Sequence, residues 1–422
     1  MMIPAEAEFR FTEDHMIRKE MRWTAACMST ALLFSALSTA AYAAPRRKVF
    51  ADNVSESSHQ TSFERERSAE EWAKLRDNRI EWDEIQTLVH EYNPTIASMW
   101  ISFRQNDHRG AYHIDYEKAE QKIEDAYQKA MEAADGNEVA EALAEMRYQS
   151  DSARSDVDSN AQSSDREAAK LQIEQSELTT TETIRKSILS MYSSRAKAET
   201  AKTNIDQESA NYDAAVRKLN AGQGTNLDVL NAKEAREKAQ LSLSQENASV
   251  EKNTELIRVD LGWRYNDEPE LPEAPIPGEE QLNALDLQAD TETALKENYP
   301  IRITERKLAV SQTETQLASL NTTLQNQKES VRADMISRYQ AVKQARTGLE
   351  QARLQSSNLQ AAQSSAERAY SVGSKSRREM ETAKNQAESA KRSERIAELS
   401  LAEADYDYLA GKQGLAKAGG SQ

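Results

Sequence analysis

Two stretches of the chain place a small or apolar residue at every third or fourth position. Gly373 lies between them, and glycine tolerates the positive φ that a reversal of the chain requires. Such spacing is typical of a coiled-coil seam, in which each of these residues faces a partner helix. The pattern predicts a helical hairpin with its tip at residues 371–379 and with these seam residues: Val342, Ala345, Leu349, Ala352, Leu359, Ala366 and Tyr370 before the tip, and Met380, Ala383, Ala387, Ala390, Ala397, Leu401, Ala404 and Tyr408 after it.

A second hairpin is predicted earlier in the chain, with its tip at residues 220–228. A shift of 151 residues superimposes Gly222 on Gly373 and Asp228 on Glu379, and it also aligns several alanines of the helices that follow. A shared bias toward Ala, Glu and Lys would produce part of this agreement. A glycine and an acidic residue that fall in register with the helices favour an internal duplication.

A short amphipathic helix is predicted at the start of each half, ended by Tyr92-Asn93-Pro94 and by Asn298-Tyr299-Pro300. The distance from the proline to the tip glycine is 128 residues in the first half (Pro94 to Gly222) and 73 residues in the second half (Pro300 to Gly373). The first half is therefore 55 residues longer over this part. We expect a reversal within residues 150–166 in the first half and at Asn321-Thr322-Thr323 in the second.

The N-terminus has the parts of a secretion signal. A charged region precedes an apolar run, and Ala41-Tyr42-Ala43 supplies the small-x-small pattern of a cleavage site. We therefore expect translation to start at Met16 or Met21 and residues 1–43 to be removed after Ala43. A retained membrane anchor is the alternative, although the apolar run is short for a membrane span.

Cys27, the one cysteine of the chain, lies inside this signal, so the exported protein would have neither a disulfide nor a thiol site. Once the signal is removed, we expect no segment that spans a membrane on its own. The remaining boundaries are predicted as follows: a loosely ordered polar lead-in at 44–78, a first helical repeat at 79–262, a Pro-rich connector at 263–283, a second helical repeat at 284–411 and a flexible tail at 412–422.

The composition agrees with long helices. The 422 residues are 29% charged and 6% aromatic, with 12 Gly, 8 Pro and a mean hydropathy of −0.81. Because Gly and Pro, which interrupt helices, are rare, the composition indicates an all-α chain. Because apolar residues are also few, we expect the helices to pack through narrow seams, without one large core. A net charge of −16 disfavours nucleic acid as a partner.

These motifs resemble the TolC family of outer-membrane efflux proteins over about residues 79–411. The similarity lies in the two Asn/Tyr/Pro segments, the turns Ala221-Gly222 and 370–373, the 227–232 segment and the closing 405–409 segment. The resemblance implies a trimer in which each chain contributes two hairpins to a helical tube. It also implies that the hairpin tips dock to an adaptor, or membrane fusion, protein of an inner-membrane pump, of ABC type or another type. The implied docking residues are Gly222, Gly224, Leu227, Val372, Gly373, Ser374 and Lys375.

The resemblance also implies a latch at the entrance of the tube. An acidic residue after the first tip would pair with a tyrosine before the second, and Asp228 and Tyr370 stand at those positions. Lys375 would belong to the same latch, and Glu379 to a carboxylate ring at the constriction, where Thr382 stands in place of a second acid. Asp228 and Glu379 are equally explained as acidic residues in the first turn of a helix, and Lys375 as a solvated charge.

In the family, two β-strands in each half build a pore through the outer membrane. Residues 150–166 and 319–333, the candidate windows here, are polar and contain no aromatic residue, so these strands are expected to be absent. The chain therefore resembles a relative that lacks the family's barrel.

The sequence shows no nucleophile–base constellation and no phosphate-binding loop, and His108 and His113 do not match a metal site, so we expect no enzyme, cofactor or metal. Two functions remain open. One is an exported efflux or secretion conduit of the cell envelope, and the other is a non-conducting structural or surface coiled coil.

Overall fold

The computed structural model describes residues 67–112, 116–152, 161–264 and 267–419, apart from the side chains of 116–120 and 150–152. These residues belong to one unit, Arg46–Gln422. The expected signal peptide and residues 44–66 of the lead-in lie outside the described residues.

The described residues form helices, as the all-α prediction requires, with one isolated bridge between Arg79 and Glu270. Two long hairpins, α6–α7 and α11–α12, confirm the predicted pair. In chain order the helices are α1 (Ala69–Leu75), α2 (Ile85–Tyr92), α3 (Pro94–His108), α4 (Tyr116–Ala134), α5 (Glu138–Ser152), α6 (Arg166–Asn220), α7 (Asn226–Asp260), α8 (Glu279–Asn283), α9 (Leu287–Glu297), α10 (Tyr299–Val310), α11 (Glu314–Ser371) and α12 (Arg377–Ala410).

The four long helices lie side by side in the order α7, α6, α12, α11, because each hairpin packs on itself and α6 also packs against α12. The 55 residues of α6 and the 58 of α11 extend ~83 and ~87 Å at 1.5 Å per residue. Val342, Leu349 and Ala387 are buried in the predicted seam. Tyr370, assigned to the same seam, is 42% exposed, because α11 ends one residue later and α12 starts only at Arg377.

The large apolar residues are concentrated at the base of the hairpins, away from the tips. In the first half, Ile85, Ile96 and Phe103 of α2 and α3 pack with Ile184 and Ile188 of α6. In the second half, a similar cluster joins α9 and α10 to α11, α12 and the C-terminal residues: Ala294, Ile301, Val331, Met335, Leu401, Tyr408 and Ala416. The short helices therefore hold the bases together, whereas the outer lengths of the hairpins are narrow rods.

An asparagine joins the two short helices at each base. Asn93 ends α2 and caps α3, where its Oδ1 accepts the Thr95 and Ile96 amides (3.0 and 3.2 Å). Its Nδ2 donates to the carbonyl of Asp260, at the end of α7 (2.9 Å). Each base thus combines a helix cap and a long-range tie in one side chain.

Asn298 does the same in the second half. Its Oδ1 accepts the Ile301 amide (3.2 Å), and its Nδ2 donates to the carbonyls of Gly414 (3.2 Å) and Ala416 (2.8 Å). A tight glycine lies beside each tie. Gly262 has φ +85° against Tyr92, and Gly414 has φ +109° against Glu297.

The prediction that the chain reverses direction at Asn321-Thr322-Thr323 is wrong, because these residues lie inside α11. Their side chains bond to carbonyls one turn earlier: Asn321 to Leu317, Thr322 to Ala318 and Thr323 to Ser319. The helix is interrupted at residues 311–313 instead, where no Gly or Pro marks the break. Residues 319–333 are likewise helical, whereas 153–160 of the other window lie outside the described residues.

Two further expectations are corrected at the ends. The prediction of a flexible tail does not hold for residues 412–419, because Ala416 and Ala418 are buried and the Lys417 amide donates to the Asp334 carboxylate (2.9 Å). The lead-in is ordered over α1, where Ser68 and Glu71 form a capping box and Trp72 and Leu75 are buried.

Candidate functional site at the hairpin tips

The first tip is a helix end followed directly by a helix start. After Asn220, Gly222 has φ +70° and donates its amide to the Leu219 carbonyl (2.9 Å). The next amide, of Gln223, donates to the Lys218 carbonyl (2.8 Å). These two bonds make a Schellman motif, which satisfies carbonyls that the helix leaves open and turns the chain around.

The second tip has the same construction. Gly373 has φ +75° and donates to Tyr370 (2.9 Å), and the Ser374 amide donates to Ala369 (2.9 Å). Each participating residue stands 151 positions after its counterpart in the first tip. The shift found in the sequence therefore corresponds to a shared backbone geometry.

Each tip then starts its next helix with a capping box. The Thr225 hydroxyl accepts the Asp228 amide (3.2 Å), and the Asp228 carboxylate accepts the Thr225 amide (2.9 Å). Ser376 and Glu379 repeat this exchange (3.3 and 2.8 Å). Sequence analysis missed Thr225 and Ser376, although Thr-x-x-Asp and Ser-x-x-Glu are readable capping signals.

The caps define the charge state of both acids. Hydrogen bonds from the backbone and side chain of Thr225 lower the pKa of the Asp228 carboxyl, and those of Ser376 lower the pKa of Glu379. Both acids are exposed, and with their lowered pKa values they stay ionised at neutral pH. Each tip consequently presents one fixed negative charge beside its turn.

The structure does not bring the implied latch together within one chain. Asp228 bonds to Thr225, and among the described contacts none joins it to Tyr370. The Lys375 amide donates to the Ala369 carbonyl (3.3 Å), and Thr382 bonds to the Arg378 carbonyl of its own helix (2.9 Å).

The two tips differ in the side chains that they expose. Leu227 and Leu230, after the first turn, are 63% and 61% exposed, whereas Tyr370 and Val372, before and within the second turn, are 42% and 78% exposed. Gly224 is enclosed, since a Cβ there would lie 3.1 Å from the Leu219 nitrogen. Lys375 occupies the equivalent place in the second tip.

Polar contacts also join the two hairpins near the tips. Arg378 of α12 donates to Asn211 of α6 (2.6 Å), and farther from the tips Arg392 pairs with Glu199 (3.4 Å). These contacts cross between repeats and have no signal in the sequence. They hold the two tips at the same end of the four-helix layer.

Neither metal ligation nor membrane spanning is evident in the part of the chain that the structure describes. No cluster of three His, Cys, Asp or Glu side chains is arranged to hold a metal ion there. Within the same residues, no helix is both long and apolar enough to cross a lipid bilayer. His113, singled out in the sequence, lies outside the described residues.

No family model and no curated protein matches the sequence. Among solved structures, the chain is similar to the outer-membrane channel OprN, with 14% identity, a TM-score of 0.49 and coverage of 85% of this chain and 96% of that one. It is also similar to the CmeC outer membrane channel of Campylobacter jejuni (12% identity, TM-score 0.41, coverage 63% and 69%). A third similar structure is the MtrE outer membrane channel of Neisseria gonorrhoeae, with 16% identity, a TM-score of 0.42 and coverage of 62% of this chain and 72% of that one. All three are outer-membrane channels, but similarity at this level does not by itself identify a function.

Proposed function

We propose that copies of this chain assemble side by side into a helical tube, which serves as an exported TolC-like conduit for efflux or secretion in the cell envelope. A homotrimer is the proposed state. The tips would dock to an adaptor protein of an inner-membrane pump, of ABC type or another type. The observation that carries this proposal is an apolar stripe on the free side of each outer helix of the four-helix layer.

The stripe on α7 consists of five exposed residues. At 100° per residue they fall within an arc of about 80°, which is one face of the helix. On α11, at the other edge, Ile336 (50%) and Leu354 (64%) stand five full turns apart and so share a face. The α7 residues are Leu227 (63%), Leu230 (61%), Leu241 (58%), Leu256 (44%) and Val259 (42%).

A single copy leaves the apolar side chains of both stripes in water, spaced along faces that also carry polar residues such as the exposed pair Glu234 and Lys238 of α7, and covering them would be favourable. Packing α7 of one copy against α11 of the next would cover both. The two edges differ, so the contact is head-to-tail, and such a contact generates a ring when its rotation closes and an open filament when it does not. The small residues in the seams allow the helices to approach closely in such a wall.

Light scattering on residues 44–422 tests the assembly, with three times the chain mass as the expected result. We expect Leu241→Glu combined with Leu256→Glu to give a single chain, because both charges would enter the interface. Leu143→Glu, at an exposed apolar site on α5, is the matched control and should leave the mass unchanged. A monomeric unmodified protein would rule the tube out.

Docking through the tips is the second part of the proposal, with the seven tip residues named above as the contact surface and Asp228, Tyr370, Lys375 and Glu379 as the gate. It is supported by the exposed Leu227 and Val372 at the ends of the hairpins. Replacing Gly222 or Gly373 by Trp should abolish binding of a purified adaptor protein that binds the unmodified chain. Retained binding would contradict the docking role.

A non-conducting structural coiled coil is the alternative function. The capping boxes favour it, because Asp228 and Glu379 already have a structural task within their own helices. Asp228→Asn and Glu379→Gln distinguish the two functions. A gate predicts that either variant changes the susceptibility of cells to toxic compounds, whereas a purely structural role predicts the same susceptibility with every variant.

A further inference from the structure

A cavity of about 600 Å³ lies at the base of the hairpins, where α6, α11, α12 and the C-terminal segment 414–419 all contribute to its wall. The α6 residues of the wall fall within an arc of about 100°, which is one face of that helix. The residues that line the cavity are distinct from the tips and from the exposed stripes of α7 and α11. The α6 residues are Gln175, Thr179, Glu182, Thr183 and Lys186.

The C-terminal segment is fixed in this wall by hydrogen bonds along its length. Arg338 of α11 donates from Nη2 to the Leu415 carbonyl (3.3 Å), and the Lys417 amide donates to the Asp334 carboxylate (2.9 Å). Two further carbonyls of the segment accept from Asn298. The cavity is therefore preformed, as binding sites for small molecules usually are.

Two oxygens in the wall lack a hydrogen-bond donor in the part of the chain that the structure describes. Glu182 is 6% exposed, and its Oε1 accepts from Arg185 (2.6 Å), but its buried Oε2 has no partner. Burial raises the pKa of this carboxyl, and Arg185 opposes the shift. The Oε1 of Gln327, on α11, is likewise buried without a partner. Because buried acceptors are nearly always hydrogen-bonded in folded proteins, a molecule in the cavity that carries two donors would complete both.

The charges of the wall are already matched. Lys186 forms an ion pair with Asp407, and Arg338 forms one with Asp334 (2.5 Å). Lys417, the remaining base, is exposed to solvent. A charged ligand would have to break one of these pairs or meet a like charge, whereas a neutral ligand leaves them intact. The partners that the cavity lacks are therefore hydrogen-bond donors without a net charge.

A neutral saccharide has this chemistry. Its hydroxyls donate and accept hydrogen bonds, and its C–H faces suit apolar wall residues such as Pro300 and Leu415. The volume lies within the range of ~300–1,000 Å³ that is typical of small-molecule sites. We infer that the cavity binds a neutral saccharide, whose hydroxyls donate to Glu182 Oε2 and Gln327 Oε1.

This site does not depend on the proposed tube. Gln327 precedes Ile336 by nine residues, which places it about 180° around α11 from the exposed stripe. The other long wall, α6, is an inner helix of the four-helix layer. Binding of a saccharide and assembly of the copies can therefore succeed or fail separately.

The test is a titration of the purified protein followed by saturation-transfer NMR, with glucose, N-acetylglucosamine and maltose as the neutral probes. We expect saturable binding of at least one of them. Gln327→Met, which keeps the length of the side chain and removes the acceptor, should weaken this binding at least fivefold. Thr179→Trp, which adds a large ring at an exposed position of the wall, should abolish it.

The control variant is Gln363→Met, ten full turns from Gln327 on the same face of α11 and likewise partly buried, which should leave the affinity unchanged. Protonated glucosamine and glucuronate add a charge to the same ring, and each should bind at least fivefold more weakly than the best neutral probe. Absence of saturable binding for all three neutral probes would overturn the inference. So would a charged sugar that binds as tightly, or unchanged binding in Gln327→Met and Thr179→Trp. Circular dichroism checks that each variant keeps its helices.

Discussion

The two halves of the molecule differ in length on the way to the tip and agree on the way back. Asn93 precedes Gly222 by 129 residues, whereas Asn298 precedes Gly373 by 75. The return path covers 40 residues from Gly222 to Gly262 and 41 from Gly373 to Gly414. An insertion has lengthened the path to the tip in the first half, whereas the path back from the tip has almost the same length in both halves.

One reason lies at the bases, where an asparagine is tied to Asp260 at the end of α7 in the first half, and to Gly414 and Ala416, just after α12, in the second. The ties from Asn93 to Asp260 and from Asn298 to Gly414 and Ala416 require the returning helix to arrive in register. A gain of one or two residues in α7 would rotate Asp260 away from Asn93, because each residue turns the helix by about 100°. The outgoing path carries its extra residues in α4–α5, outside the rods, and so escapes this constraint.

The largest effect is expected where a glycine is enclosed. Gly414→Ala should lower the free energy of unfolding by ~3 kcal/mol or more, because it combines a positive φ with a clash against the backbone carbonyl of Glu297. Gly262→Ala also combines a positive φ with a clash, 2.5 Å from the Tyr92 Cβ, and because a Cβ is fixed to the backbone it should cost a similar amount.

Gly222→Ala is the control, since its φ is positive but no atom lies within 4 Å of the added Cβ. It should cost ~1 kcal/mol, from the backbone conformation alone. Urea unfolding of the three variants gives the order. If Gly414→Ala cost no more than Gly222→Ala, the base would not be the tightly determined end of the rod.

The next effect concerns the ties themselves. Asn298→Ala removes a helix cap and leaves two buried carbonyls without their donor, and ~3 kcal/mol of destabilisation is expected. Asn93→Ala removes a cap and a donor to one carbonyl, so ~2 kcal/mol is expected. Ser at either position keeps a neutral N-cap acceptor and loses the long-range donor, which separates the two contributions in the same unfolding experiment. Equal costs for the two alanine variants would contradict the difference between the halves.

The smallest effect is a pH dependence specific to the second half. Burial raises the pKa of the Asp405 carboxyl to about 6 from 3.8, while Gln281 donates to it (2.7 Å). Thr254, the residue 151 positions earlier, is neutral and bonds to the Val250 carbonyl. Only the second half therefore has a titrating group at this place.

Because the folded-state pKa is raised, the folded state holds a proton that the unfolded state releases between pH 4 and 6. The free energy of unfolding should fall as the pH rises through this window and stay reduced above it, by at most ~3 kcal/mol. Asp405→Asn should remove this loss, with greater stability than the unmodified protein at pH 8 and no difference near pH 4. Asp290→Asn, which disturbs the bond from Tyr408 (2.7 Å), should instead destabilise at pH 8. An Asp405→Asn variant no more stable than the unmodified protein at pH 8 would show that the carboxylate is hydrated in the fold.

The sequence alone determined the rods, their turns and their duplication. Helical periodicity, a tip glycine and an acid three residues into the next helix are local features, whose hydrogen bonds span about five residues or fewer. Tyr370 and the break at 311–313 were mispredicted because each depends on where a neighbouring helix begins or ends.

Only the tertiary structure decided which helices are neighbours and which residues tie them. Alanine-rich faces can pair in several ways, so the contact of α6 with α12 has no unique pattern in the sequence. The tie from Asn93 to Asp260 joins residues 167 positions apart. The same holds for the candidate sites, because an exposed stripe differs from a buried seam only in what packs against it, and that is a property of the folded chain.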